Sequence, residues 1–179
     1  MSTSRYFLFL CTCTLVLFAA FAFTPVMASE KHAVGGKANI TGIKKHRNIR
    51  VVYDVSRDEL EAGIGKALYY VRGLLEAYKK LGVKTEELHI SVVLHGAAAY
   101  WVLNTEAYQQ VKGDIFAHNP NEKVIGELLE HGVSVEICNA TIKGKGWSAA
   151  DILPGVKLVH DGYTRMIDLQ LRGYAYIYF

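Results

Sequence analysis

Short apolar segments typical of β-strands alternate with longer segments that have helical spacing along residues 49–179. The predicted order is strand, helix, strand, helix, helix, strand, short helix, strand, helix and strand. Strands that are separated by helices usually pair in parallel, because each helix returns the chain to the edge from which the next strand starts. The order therefore predicts a parallel sheet with helices on both faces and right-handed crossovers.

Local signals set the boundaries of these elements. Residues 50–55 form an almost continuous apolar run, as a strand buried on both faces requires. Ser56 and Glu59 have the spacing of a capping box, which predicts that a long helix starts there. Asn121 is a candidate cap for the helix that follows it. The other predicted elements are strands over residues 88–94, 133–137, 156–159 and 174–179 and helices over residues 97–111, 122–130 and 163–171.

The start of the chain has the pattern of a secretory signal peptide. Arg5 is the only charged residue before Glu30, residues 6–23 are nearly all apolar, and small side chains around Ala28 suit a signal peptidase. We therefore expect three segments: a signal peptide at residues 1–28, a flexible arm at residues 29–48 and a folded domain at residues 49–179. The protein is then periplasmic or secreted. An uncleaved anchor helix is the alternative, since the apolar run is nearly long enough to cross a bilayer.

Charge and cysteine content exclude several classes of protein. The net charge of +3 over 179 residues is too small to indicate a nucleic-acid partner. Cleavage after residue 28 removes Cys11 and Cys13 and leaves Cys138 as the single cysteine. Its thiol then pairs between chains, is buried and inert, or is reactive. Because P-loop, GxGxxG, CxxC and HExxH motifs are absent, we predict no cofactor and no metal site.

The position of Cys138 favours a reactive thiol. The residue ends a predicted buried strand, and open parallel sheets place their chemistry at the carboxyl ends of their strands. The loop after it contains Lys143 and Lys145, two glycines and no acidic residue. A short helix in that segment adds the partial positive charge of its amino end. Such surroundings favour the thiolate over the thiol.

Other predicted strand ends supply candidate partners for this thiol. His95 follows the second strand, and an imidazole beside a thiol is an established nucleophilic pair. The alternative is a hydrogen-bonded structural histidine. Asp54 or Ser56 ends the first strand, and the His160-Asp161 pair ends the fourth.

The segment after Cys138 contains the candidate substrate-binding residues. Backbone N–H groups of Asn139, Ala140 and Thr141 are positioned to bind an anion. The ammonium group of Lys143 adds attraction for an anionic ligand, unless it is simply solvated. Trp147 is a candidate cover for the thiol, and packing in the core is the alternative.

Five short motifs follow one another in an order that is familiar from a known family. They are the His95-Gly96 strand end, residues 128–133, the Ile137-Cys138-Asn139-Ala140-Thr141 segment, residues 152–156 and residues 170–176. With these motifs, residues 49–179 resemble the DsrE/DsrF-like family of sulfur-handling proteins. The resemblance covers nearly the whole predicted mature chain.

This resemblance implies a fold and an activity. The implied fold is a three-layer α/β/α sandwich with a five-stranded, mainly parallel sheet, flavodoxin-like in outline. Members form homo- or hetero-oligomers, often trimers or hexamers. In the persulfide-carrying members, a cysteine after the third strand holds sulfane sulfur and passes it to a partner. Cys138 matches that position, and His95 matches the strand-end His-Gly pair.

One main hypothesis and two alternatives follow. In the main hypothesis, the protein is an exported, homo-oligomeric sulfur carrier, at most sulfurtransferase-like, that holds a persulfide on Cys138. Its partners are sulfur donor and acceptor proteins or small sulfane-sulfur species, with no nucleic acid and no membrane contact beyond an uncleaved signal segment. The first alternative is a non-catalytic small-ligand-binding or assembly module with an inert Cys138. The second is a redox sensor that forms an intermolecular disulfide through Cys138.

Overall fold

The computed structural model describes residues 40–179. The predicted signal peptide and residues 29–39 of the predicted arm lie outside the described residues. Residues 40–48 contain no helix or strand, and the first element begins at Ile49. Within residues 40–179, no helix combines the length and the apolarity needed to cross a membrane.

A five-stranded parallel sheet forms the centre of the fold. The described residues form seven strands, of which β2 and β3 lie outside this sheet. They are β1 (Ile49–Val55), β2 (Leu60–Glu61), β3 (Ile64–Gly65), β4 (Leu88–Leu94), β5 (Ser134–Cys138), β6 (Lys157–Val159) and β7 (Ala175–Tyr178). The helices are α1 (Lys66–Lys80), α2 (Thr105–Lys112), α3 (Glu122–Glu130), α4 (Asn139–Gly144) and α5 (Gly162–Leu171). The sheet has the order β6-β5-β4-β1-β7, and all of its pairings are parallel. The predicted α/β fold is therefore confirmed.

The two faces of this sheet bury very different amounts of apolar side chain. On the first face, Val51, Tyr53 and Val55 of β1 join a core that includes buried residues of α1, α2, α3 and α4. On the second face, α5 is the covering helix of the described chain. The buried cluster beneath it consists of Val52, Val93, Met166 and Leu169. Because side chains alternate along a strand, the second face also receives residues such as Asp54 and Glu136.

A buried ion pair attaches α5 to the second face. Glu136 of β5 is 1% exposed, and its carboxylate accepts hydrogen bonds from Arg165 Nε at 2.6 Å and Nη2 at 2.8 Å. The bond to Glu136 raises the pKa of Arg165 further above its usual range. Two parallel bonds of this kind fix both the position and the orientation of the Arg165 guanidinium group relative to the Glu136 carboxylate. The amino end of α5 is thereby held at the carboxyl edge of the sheet.

The predicted capping box at Ser56 and Glu59 is wrong. The hydroxyl of Ser56 shares a hydrogen bond of 3.0 Å with the hydroxyl of Tyr178, and α1 begins only at Lys66. Strands β2 and β3 form a small antiparallel hairpin before the helix. Ala62 and Gly63 have φ values of 49° and 83°, which makes the tight turn between these strands. The apolar spacing that indicated a helix therefore belongs in part to a hairpin.

The helix predicted over residues 97–111 is also wrong in its first half. Gly96–Val102 forms a 3-10 helix, and α2 starts after Asn104, whose side chain caps it by accepting a bond from Ala107 N at 3.0 Å. Leu103 forms an isolated bridge with Ile152. This pairing with a distant segment draws the backbone out of helical geometry, an effect that local periodicity cannot predict.

Asn121 precedes α3 as predicted but does not cap it. Its side chain is fully buried, and its Oδ1 accepts a hydrogen bond from the backbone N–H of Gly65 at 2.6 Å. A Cβ at Gly65 would lie 2.5 Å from the ring of Trp101, so that residue 65 has no room for a side chain. Asn121 thus connects the hairpin to α3.

Candidate functional site

His95 and Cys138 come together because their strands are neighbours. Strands β4 and β5 pair in parallel, with Leu94 opposite Ile137. His95 and Cys138 are the next residues in this register, at the same edge and on the second face of the sheet. The sequence placed both residues at strand ends, and the strand order makes those ends adjacent.

Gly162, the first residue of α5, lies against both side chains. A Cβ built on Gly162 would be 3.6 Å from two ring carbons of His95 and 3.8 Å from the Cβ of Cys138. Gly162 and these two side chains border a cleft of about 340 Å³. Its lining residues are His95, Gly96, Cys138, Ala140, Thr141, Asp161, Gly162 and Tyr163. The thiol, the imidazole and the start of α5 therefore share one solvent-facing space.

Cys138 forms part of the floor of this cleft. It is 6% exposed, ends β5 and immediately precedes α4. The thiol thus lies at the amino end of a helix, as expected from the sequence, where the partial positive charge of the backbone favours an anion. Because the residue is otherwise buried and lines the cleft, a reagent approaches the sulfur from the cleft.

A hydrogen-bonded chain leads from His95 into the sheet. His95 Nε2 lies 2.7 Å from Asp54 Oδ1, and the hydroxyl of Tyr176 donates to Asp54 Oδ2 at 2.5 Å. Asp54 is 6% exposed. Desolvation and the bond to Asp54 raise the pKa of Tyr176 to about 12, so that its hydroxyl remains a donor at neutral pH. Both carboxylate oxygens of Asp54 are therefore engaged.

The cleft has a fixed negative charge at its rim. Asp161 caps α5 and accepts hydrogen bonds from the Thr164 hydroxyl at 2.6 Å and the Thr164 N–H at 2.8 Å. These bonds and a contact with His160 lower the pKa of Asp161 to about 2. Its carboxylate is therefore ionised throughout the neutral range. This charge works against any attraction of small anions to the thiol.

The structure places the predicted substrate-binding residues in two groups. Ala140 and Thr141 line the cleft with Cys138. Asn139, Lys143 and Trp147 are not among its lining residues. Lys143 is exposed on α4, and Trp147 packs against the main core, with Lys145 Nζ 5.6 Å from the centre of its ring. Substrate-binding roles for these residues remain predictions.

Sequence reasoning missed three residues that shape this site. Gly162 and Tyr163 belong to α5, and the ring of Tyr163 lies 5.7 Å from that of His95. Tyr176 reaches the site from β7, which pairs with β1 so that Tyr176 lies opposite Val52. Tyrosines alternate near the end of the chain, which is visible in the sequence. Which side chains they contact, however, depends on which strand lies next to β7. Among residues 40–179, no group of three or more His, Cys, Asp and Glu side chains is arranged to hold a metal ion.

Comparisons with known proteins agree with this architecture. A sequence model of the DsrE/DsrF-like family matches residues 62–179. Among solved structures, the protein of unknown function MTH1491 from Methanobacterium thermoautotrophicum has 23% identity and a TM-score of 0.54, covering 73% of this chain and 98% of its own. The ychN protein from E. coli has 15% identity and a TM-score of 0.52, covering 73% of this chain and 99% of its own. These two structures support the fold.

No curated protein matches the sequence. The family match, in contrast, spans well over half of the chain. It includes His95 directly after β4, Cys138 at the end of β5, Gly162 in α5 and Tyr176 in β7. The chain therefore belongs to the DsrE/DsrF-like family, which is associated in general with sulfur relay.

Proposed function

We propose that this protein is an exported sulfur carrier that holds sulfane sulfur as a persulfide on Cys138. The observation that supports the proposal best is the cleft in which the thiol, His95 and the amino end of α4 meet. A thiol that was needed only for packing would not require an opening onto solvent or a neighbouring imidazole. The family association with sulfur relay points to the same chemistry.

The proposed reaction is an exchange between a thiol and a persulfide. The Cys138 thiolate attacks the outer sulfur of a donor R–S–SH, a new S–S bond forms on Cys138, and the S–S bond of the donor breaks. The donor leaves as R–S⁻ and takes up the proton that the Cys138 thiol lost, which gives R–SH. An acceptor thiolate then attacks the outer sulfur of Cys138–S–SH in the same way. Sulfur moves without net oxidation or reduction.

The charge around the cleft favours a neutral or protein-bound donor over a small inorganic anion. Asp161 is ionised at the rim, whereas Lys143 and Lys145 are not among the lining residues. An incoming thiosulfate ion would therefore meet a negative charge close to the thiol. A persulfide that arrives in the protonated form R–S–SH, on a partner protein or on a small molecule, meets no such barrier.

Assembly and export complete the proposal. Tyr163, Ile167 and Leu171 recur every fourth residue on α5 and are 70%, 56% and 83% exposed, respectively. Such a stripe is typical of a helix that packs against another chain, which supports a homo-oligomer. Export rests on the signal-peptide pattern of residues 1–28. The mass of the protein recovered from its native host tests cleavage after residue 28.

The central experiment measures sulfur loading by intact mass. The full chain is incubated with a low-molecular-weight persulfide, and we expect a gain of one sulfur atom that is located on the Cys138 peptide. Cys138→Ser should abolish the gain at that peptide, and addition of an acceptor thiol should remove it from the wild-type protein. Protein whose Cys138 has first been alkylated is the control for sulfur that is bound without a covalent bond.

Two other results would contradict the proposal. A Cys138 that resists alkylation until the protein unfolds, with no sulfur gained, identifies a non-catalytic binding or assembly module. A dimer that depends on Cys138 and appears on a non-reducing gel after mild oxidation, again without sulfur loading, identifies a redox sensor.

A further inference from the structure

We propose that Asp54, held by Tyr176, is the positioning residue that orients His95 as the proton carrier for Cys138. The inference rests on the proposed function, because it assigns the groups that prepare the Cys138 thiol for sulfur exchange. It adds two residues, from β1 and β7, to a site that the sequence placed at the ends of β4 and β5.

The contacts of Asp54 support this role. One carboxylate oxygen accepts from His95 Nε2 at 2.7 Å, and the other accepts from the Tyr176 hydroxyl at 2.5 Å. The carboxylate is almost fully buried between β4 and β7, both of which pair with β1. A buried carboxylate that is bonded at both oxygens has a fixed orientation, and it transmits that orientation to the imidazole.

The bond to Asp54 also determines which ring nitrogen of His95 bears the proton. A carboxylate only accepts hydrogen bonds, so that Nε2 of the neutral imidazole is the donor. Nδ1 is then the nitrogen with the lone pair, and the ring lines the cleft beside Cys138. We expect His95 to take the thiol proton on Nδ1 within this cleft and to return it to the departing thiolate. Asp54 stabilises the imidazolium that exists between these two transfers.

Several other groups face His95 in addition to Asp54. Cys138 faces it from β5 across Gly162. Asp161 lines the same cleft from the turn before α5. The ring centre of Tyr163, in α5, lies 5.7 Å from the ring centre of His95. Tyr176 on β7 acts through Asp54. Asp54 is the member of this set that contacts a ring nitrogen directly, so that its removal should have the largest effect on proton transfer.

The test follows the rate at which iodoacetamide alkylates Cys138 in the full chain as a function of pH. Mass spectrometry of the Cys138 peptide separates this reaction from that of Cys11 and Cys13. We expect Asp54→Asn to lower the rate at pH 7 about tenfold and to move the half-maximal rate to higher pH, because the imidazolium that accompanies the thiolate loses its counter-charge. Tyr176→Phe keeps the ring but loosens Asp54, and should lower the rate about threefold.

Tyr178→Phe is the matched control. Tyr178 lies two residues further along β7 on the same face, but its hydroxyl bonds to Ser56 instead of Asp54. The dependence of its Cys138 alkylation rate on pH should match that of the wild type. A second control combines Asp54→Asn with His95→Gln, and the double variant should be no slower than His95→Gln alone.

Two results would overturn the inference. One is an unchanged pH profile in both Asp54→Asn and Tyr176→Phe. The other is an equal loss of rate from Asp54→Asn with and without His95, which would show that Asp54 acts on the fold instead of the imidazole. If Asp54→Asn fails to fold by circular dichroism, Tyr176→Phe decides the question. Sulfur loading of the wild type is measured separately, so that its absence contradicts the proposed function, whereas loading with unchanged pH profiles contradicts only the role of Asp54.

Discussion

The two faces of the central sheet differ in what they bury, and only the second carries the candidate site. The first face packs against four helices, and its strands supply almost only apolar side chains. The second face packs against α5 and includes Asp54, Glu136, His95 and Cys138. The main apolar core and the candidate site therefore lie on opposite faces of the sheet. The comparison suggests that a change on the first face acts on global unfolding, whereas a change on the second acts on the cleft.

Trp101→Ala should have the largest effect and should act globally. Trp101 is fully buried on the first face, and its ring packs against Gly65. We expect a loss of about 3–5 kcal/mol in the free energy of unfolding, because a large cavity replaces the indole. Urea unfolding followed by circular dichroism measures it. Cys138 alkylation should change only in proportion to the unfolded fraction, and a selective increase in alkylation would contradict the separation of the two faces.

Glu136→Gln should have the next largest effect and should act on α5. The substitution leaves Arg165 without its buried counter-charge, and we expect a loss of about 2 kcal/mol. This is less than for a fully buried pair, because the Arg165 side chain is 27% exposed. Since α5 forms one wall of the cleft, Cys138 should become more reactive at urea concentrations well below global unfolding.

Asp168→Asn is the matched control for Glu136→Gln. Asp168 binds the same Arg165 at 2.8 Å, but its side chain is 51% exposed. We expect a change of less than about 0.5 kcal/mol and no increase in Cys138 alkylation. Equal losses in the two variants would show that burial on the second face contributes nothing to holding α5.

Asp161→Asn should change the preference of the cleft for charged reagents. Removal of the rim carboxylate should raise the alkylation rate with iodoacetate, an anion, roughly threefold relative to iodoacetamide. Asparagine also caps helices, so that α5 should remain folded. An unchanged ratio of the two rates would mean that Asp161 does not affect approach to the thiol.

The same carboxylate gives a pH dependence of stability with a defined sign. The pKa of Asp161 is about 2 in the folded protein and about 3.9 in an unfolded chain. Its contribution to stability is therefore complete above about pH 4 and is lost as the pH falls through 2. Thermal unfolding of the wild type and of Asp161→Asn should consequently converge as the pH is lowered from 5 towards 2. A difference in melting temperature between the two proteins that stays constant over this pH range would exclude this contribution of Asp161 to stability.

Gly162→Ala should have the smallest effect on stability and a selective effect on access. The new methyl group would make ordinary contacts with His95 and Cys138. Because Gly162 is the first residue of α5, alanine should gain only a small part of the advantage of about 1 kcal/mol that it has over glycine inside a helix. The melting temperature should stay the same or rise slightly. Alkylation by a bulky maleimide should slow more than alkylation by iodoacetamide. Equal slowing by both reagents would show that the cleft is not narrowed at this point.

The sequence predicted the strands and the position of Cys138 well, because these depend on local patterns. Buried strands are apolar runs; His95 directly follows β4, and Cys138 is the last residue of β5. Residues that act through partners were predicted poorly. Ser56 has the identity of a cap but bonds to Tyr178, and Asn121 has the identity of a cap but bonds to Gly65. In both cases a distant partner determines the role of a polar side chain.

Strand order explains what the sequence left open at the site. The order β6-β5-β4-β1-β7 places the last strand beside the first, which brings Tyr176 to Asp54 across 122 positions of sequence. No local signal in either segment specifies that pairing. The ion pair of Glu136 with Arg165 depends on the docking of α5 in the same way.

The pairing of β7 with β1 has a consequence for the timing of folding. Contacts between segments far apart in the chain form slowly, because a long loop must close before they contribute any stability. Asp54 belongs to the first strand of the described chain, whereas Tyr176 belongs to the last. The hydrogen bond between Asp54 Oδ2 and the Tyr176 hydroxyl therefore forms only after the intervening chain has been brought into place. We therefore expect the arrangement around the thiol to be among the last parts of the molecule to form. A folding intermediate would have a cysteine without its finished surroundings, and the emergence of native Cys138 reactivity after dilution from urea would time the final step of folding.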